Sequence, residues 1–100
     1  MNKTIAIIGG TQYQTFQKIG KKNGCDVLFH DGKAVSPIKK ELRNMIRKAD
    51  CVVILLGACS HSSMGVAKEM ANKFGKQICY QEGRGATGAI QTALQHLSAA

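Results

Sequence analysis

The chain has 100 residues, of which 44% are hydrophobic and 20% charged. That length and composition fit one globular α/β domain over residues 1–100 and exclude a disordered tail or a second independent core. Fourteen Lys and Arg against six Asp and Glu give a formal charge of +8, which turns attention to polyanionic partners.

Lys3 to Ile8 reads as a compact strand ending in Gly9-Gly10. A helix over residues 11–22 follows, capped by Thr11, with Phe16 and Ile19 inward and Asn23-Gly24 as its stop. Cys25 to Phe29 is a second strand, ending at His30-Asp31-Gly32. Ser36-Pro37 starts a second helix, a capping hydroxyl followed by proline at the first helical position. Ile38, Leu42, Met45 and Ile46 form its apolar stripe, and Ala49-Asp50 ends it. Cys51 to Leu56 shows no polar alternation, as expected of a central strand covered on both faces. Gly57 to Ser63 reads as a loop, and Met64 to Phe74 as a helix with Ala67, Met70, Ala71 and Phe74 inward and Gly75 as its stop. Lys76 to Gln81 is a fourth strand, Glu82 to Gly88 a loop, and Ile90, Ala93, Leu94 and Leu97 mark a last helix.

The alternation β-α-β-α-β-α-β-α with short connections predicts a parallel sheet with helices on both faces and right-handed crossovers. The two most apolar strands, the first and third, belong in the centre. The expected order is 2-1-3-4, a small three-layer Rossmann-like or flavodoxin-like sheet.

Ligands of such sheets bind beyond the carboxyl ends of the strands, where the strand order reverses. The sequence places Gly9, Gly10, Thr11, His30, Asp31, Gly32, Cys59, Ser60, His61, Ser62 and the Arg84 loop on that edge. The opposite edge receives ordinary turn residues. Cys59-Ser60-His61 offers a thiolate and an imidazole, and His30 lies across the first strand, about 10 Å away by strand spacing. Together His30, Cys59 and His61 suggest ligands for a metal ion. Two histidines also suit a haem iron in a wide or shared crevice. Asp31, 21 residues after Gly10, stands where an acid would meet a ribose, yet the G-x-G-x-x-G spacing is absent. The alternative role of Asp31 is to orient an imidazole. Gly83 to Gly88 looks like an anion nest, with Arg84 and Thr87 joining the Gly9-Gly10 amides around a phosphate.

Several chemistries fail on motif. The cysteines are 26, 8 and 20 residues apart with no C-x-x-C, which excludes a zinc ribbon or thioredoxin-like motif. The loop after Cys59 carries no arginine, so a cysteine phosphatase is disfavoured. Met1-Asn2-Lys3-Thr4 leads directly into the first strand, so no signal peptide is expected, and free thiols suit a reducing cytoplasm. The apolar runs are far shorter than a membrane span.

The whole chain, residues 3–97, resembles a bacterial family, Domain of Unknown Function 2325. The likeness rests on Ile7-Ile8-Gly9-Gly10, His30-Asp31-Gly32, Ala49-Asp50, Ser60-His61, Lys68 and Gly75-Lys76 in this order and spacing. It implies the Rossmann-like fold and points to His30, Asp31, Ser60, His61 and Lys68.

The expectation is therefore a small cytoplasmic ligand-binding or sensor module, a homodimer, taking a metal, a metal cofactor or a phosphorylated small molecule at the carboxyl edge. One alternative is a small enzyme using His30 or His61 as acid or base, with Lys68 or Arg84 on substrate charge. The other is nucleic-acid binding through Lys39, Lys40, Arg43, Arg47 and Lys48 on the second helix.

Overall fold

A computed structural model describes residues 3–33, 38–82 and 86–99, side chains of 86, 87 and 96–99 excepted. The elements are β1 (Lys3–Ile8), α1 (Tyr13–Lys22), β2 (Cys25–His30), α2 (Ile38–Lys48), β3 (Cys51–Leu55), α3 (His61–Phe74), β4 (Gln77–Gln81) and α4 (Ala86–Ala99). All strand pairs are parallel and the sheet order is β2-β1-β3-β4, the predicted one.

The sheet's period of two divides its apolar residues between two helix pairs. Ile5, Ile7, Cys51, Val53 and Cys79 face Phe16 of α1 and Ala89, Ile90 and Ala93 of α4. Ala6, Ile8, Val52 and Ile54 face Leu42 and Ile46 of α2 and Ala67, Met70 and Ala71 of α3. Every residue of β3 is buried, which explains its unbroken apolar run. The turn before β3 also sets its register: Asp50 accepts the Thr4 amide on its carboxylate and donates its own amide to the Thr4 carbonyl, both at 2.7 Å.

Helix starts depart from the sequence reading. Thr11 is exposed and does not cap α1; the N-cap is Gln12, with no side-chain capping hydrogen bond. A short 3-10 turn at Leu56–Ala58 follows β3, and α3 begins at His61 rather than Met64. Residues 86–88, read as the end of a loop, already belong to α4, which starts at Ala86. A β-carbon at Gly88 would come within 3.1 Å of the Gln81 side-chain amide, so α4 passes close to β4 there. Ser36, Pro37 and Arg84 lie outside the described residues.

Two packing features generate predictions. Gly20 brings α1 so close to β2 that an added β-carbon would collide with the Val27 methyl Cγ2. Gly20→Ala is expected to destabilise the fold by about 1–3 kcal/mol, and Val27→Ala in the same chain to relieve part of that loss, measured by denaturant unfolding of the single and double variants.

The thiols of Cys51 and Cys79 are buried 3.4 Å apart. Burial first, and the hydrogen bond to Cys79 second, push the Cys51 thiol from 9.0 up to about 12. The unfolded chain gives up this proton first, so unfolding becomes easier as pH rises from 9.0 toward about 12. Cys51→Ala should flatten that part of the stability profile relative to the native chain, measured by thermal unfolding across the window.

Candidate functional site

The carboxyl rim is built by backbone before any side chain is considered. Ile8 stands level with His30 on one side and Ile54 on the other, so the loops after β1, β2 and β3 leave the sheet together. Three hydrogen bonds tie them. The Gly9 amide donates to the His30 carbonyl (2.8 Å), the Gly10 amide to the Ala58 carbonyl (3.2 Å), and the Ser60 amide to the Gly32 carbonyl (2.9 Å). Gly32 has φ +78° and a β-carbon there would lie 3.0–3.1 Å from Ala58 O, Cys59 Cα and Gly9 Cα. These glycines therefore let three backbones touch. The Gly9 and Gly10 amides, read in the sequence as anion donors, are engaged within the protein.

His30 is fixed on both sides of its ring. Its side chain is 11% exposed. Nδ1 accepts the Gly32 amide at 3.0 Å, which assigns the ring proton of the neutral imidazole to Nε2, 3.0 Å from Glu41 Oε2. Glu41 lies in the first turn of α2, where a carboxylate also suits the helix dipole. The His30–Glu41 contact thus ties the end of β2 to α2. Asp31 Oδ1 accepts the Lys33 amide at 3.0 Å and stays 3.6 Å from His30 Nδ1. The sequence reading missed Glu41. The signal for it was its place beside the Leu42 stripe as the single acid among the bases of α2.

Ser60 caps α3. Its Oγ accepts the Ser63 amide at 3.1 Å and donates to the buried Ser63 Oγ at 2.8 Å. Ser62 is exposed. Cys59 is half-buried, its Sγ 3.5 Å from the Ser60 carbonyl, and desolvation pushes its thiol up. His61, the first residue of α3, is exposed and makes no hydrogen bond or ion pair among the described residues.

The candidate ligands His30, Cys59 and His61 are not brought together: among the described residues no group of three His, Cys, Asp or Glu side chains is placed to hold a metal ion. Thr87 lies in the first turn of α4, with its side chain outside the described set. Lys68 is exposed on α3 with its ammonium 5.5 Å from the Tyr80 ring centroid, a cation–π contact across to β4.

The exposed large apolar side chains gather toward the same rim. Tyr13 opens α1 and is 52% exposed, Leu56 follows β3 at 38%, and Tyr80 is the penultimate residue of β4 at 46%. Tyr13 rests edge-on against Phe29, ring centroids 5.8 Å apart.

A parallel β2-β1-β3-β4 sheet between two helix pairs, with its loops stitched at the carboxyl rim, defines a small Rossmann-like α/β domain. The chain belongs to the family described as "Uncharacterized protein conserved in bacteria (DUF2325)", whose model matches residues 4–97. It is 45% identical over 97 residues to a UPF0751 protein of Bacillus anthracis, covering 97% of this chain and 98% of that one. A UPF0751 protein of Bacillus cereus (strain AH820) is 44% identical over the same shares. One from Desulfitobacterium hafniense (strain Y51) is 40% identical over 87 residues, 86% of each chain. No solved structure matches the chain. No helix among the described residues is long and apolar enough to cross a membrane.

Ser60→Ala is expected to cost about 1 kcal/mol by removing the cap of α3, and Ser60→Gly only a few tenths, in chemical denaturation of the two variants.

Proposed function

We propose that this chain is a small ligand-binding or sensor module whose ligand rests on the carboxyl rim against His61. The observation that carries the reading is the contrast between the two rim histidines. Both ring nitrogens of His30 are engaged, whereas the exposed His61 ring has no partner among the described residues. An imidazole free at a rim that also exposes Tyr13 and Leu56 is suited to a flat cofactor with an apolar body and a metal needing one axial ligand. A bare zinc ion asks for three or four protein ligands, so a haem-type cofactor, which brings most of its own ligands, is the better match. His61 would hold the iron; Tyr13 and Leu56 would offer apolar surface to the ring.

One copy offers a single free rim imidazole among the described residues, so a homodimer supplying one His61 from each chain fits the same chemistry. The open edges of β2 and β4 are where a second copy would pair. Four free thiols accord with a reducing cytoplasm.

A second reading has one observation in its favour. Neither α1 nor α3 carries an acid in its first turn, and α1 lacks a side-chain cap, so the start of α1 suits the phosphate of a small molecule.

Titration with ferric haem, followed by absorption, is expected to show saturable binding with a shifted Soret band that His61→Ala abolishes while folding normally. An unchanged shift in His61→Ala overturns the haem reading. Inorganic phosphate that selectively moves the amide resonances of residues 13–15 would favour the second.

A further inference from the structure

We propose that the cleft between α2 and α3 is a docking groove for the phosphate backbone of a double-stranded nucleic acid. It lies on the sheet face opposite α1 and α4 and is independent of the rim. The cleft is open, about 490 Å³, and its charged walls are Lys39, Lys40 and Arg43 of α2 with Lys73 of α3, against the single carboxylate of Glu69. Asn44 adds a neutral donor on the same wall. The sequence alone showed the bases of α2; Lys73 closing the other wall is the structure's addition.

Three features choose the occupant. Lys39 to Arg43 span about 6 Å of helix, and a duplex presents one phosphate charge per ~1.7 Å of its axis, so the row meets several phosphates. The apolar stripe of α2 is spent on the core, Leu42 and Ile46 both being fully buried, so α2 has no face to insert into a bilayer. No aromatic residue lines the cleft, so it offers no platform for stacking unpaired bases.

Within the cleft Glu69 Oε1 lies 3.6 Å from Lys39 Nζ, both side chains more than half exposed. This carboxylate repels a phosphate and occupies Lys39. Glu69→Gln is therefore expected to tighten binding.

The test is fluorescence anisotropy of a labelled duplex with the full chain, in DNA and RNA forms, between about 50 and about 200 mM salt. Affinity should fall steeply with salt for the native protein. The triple variant Lys39→Gln, Lys40→Gln, Arg43→Gln should weaken binding at least about tenfold and lower the slope of log affinity on log salt by about 3. Lys18→Gln, Lys21→Gln, Lys22→Gln removes the same charge from exposed sites on α1, across the sheet, and should leave affinity within about twofold. Circular dichroism confirms that both variants fold. Equal losses in the two triple variants, or no saturable duplex binding, overturn the proposal. So does tighter binding to a single strand, or to phosphatidylserine vesicles, than to either duplex.

Discussion

Three backbone segments converge at one rim, and their convergence is the constraint on which the rest of the structure depends. The loops after β1, β2 and β3 are joined by the amides of Gly9, Gly10 and Ser60, through a gap that only a missing side chain at Gly32 leaves open. This stitching fixes where α1 and α3 begin. It also aims the ring of His30 back at the Gly32 amide and outward at Glu41, and sets His61 at the exposed start of α3. The division of labour between the histidines follows: one holds β2 to α2, the other is left to solvent. Adding a methyl at Gly32 would push apart the backbone on which both positions rest.

The two faces of the sheet then carry different surfaces. Below one face, α1 and α4 cover a core that includes the buried, hydrogen-bonded pair Cys51 and Cys79. Below the other, α2 and α3 bury Leu42, Ile46, Ala67 and Met70 and turn their cations outward on both sides of one cleft. Burying the apolar stripe of α2 leaves its lysines and arginines exposed to a partner, together with Glu41 and Asn44. Small ligands at the rim and a polyanion in the cleft would use separate parts of one molecule.

Much of this was legible in the sequence because the relevant forces are local or periodic. The unbroken run from Cys51, the stripe at Ile38, Leu42 and Ile46, and the stop at Gly75 each encode one element, and their alternation encodes the order 2-1-3-4. Helix starts were less legible, because a cap precedes the apolar pattern: α3 starts from the hydroxyl of Ser60, four residues before Met64 begins the stripe. Gly88 read as loop because nothing in the sequence says that a helix must pass close to Gln81. The glycines at the rim were visible, but whether such a residue admits a ligand or another strand's backbone is decided by the fold. The bond from His30 to Glu41 crosses from a strand end to a helix, and no spacing rule predicts it.

The most direct measurement of the central claim is the long-range nitrogen–proton NMR spectrum of the imidazoles, assigned with His30→Gln and His61→Gln. The account predicts that His30 shows one tautomer, protonated at Nε2, with that proton protected from solvent exchange, while His61 shows an averaged ring with fast-exchanging protons. A His30 ring that averages freely, or a His61 ring locked in one hydrogen-bonded tautomer, would contradict it.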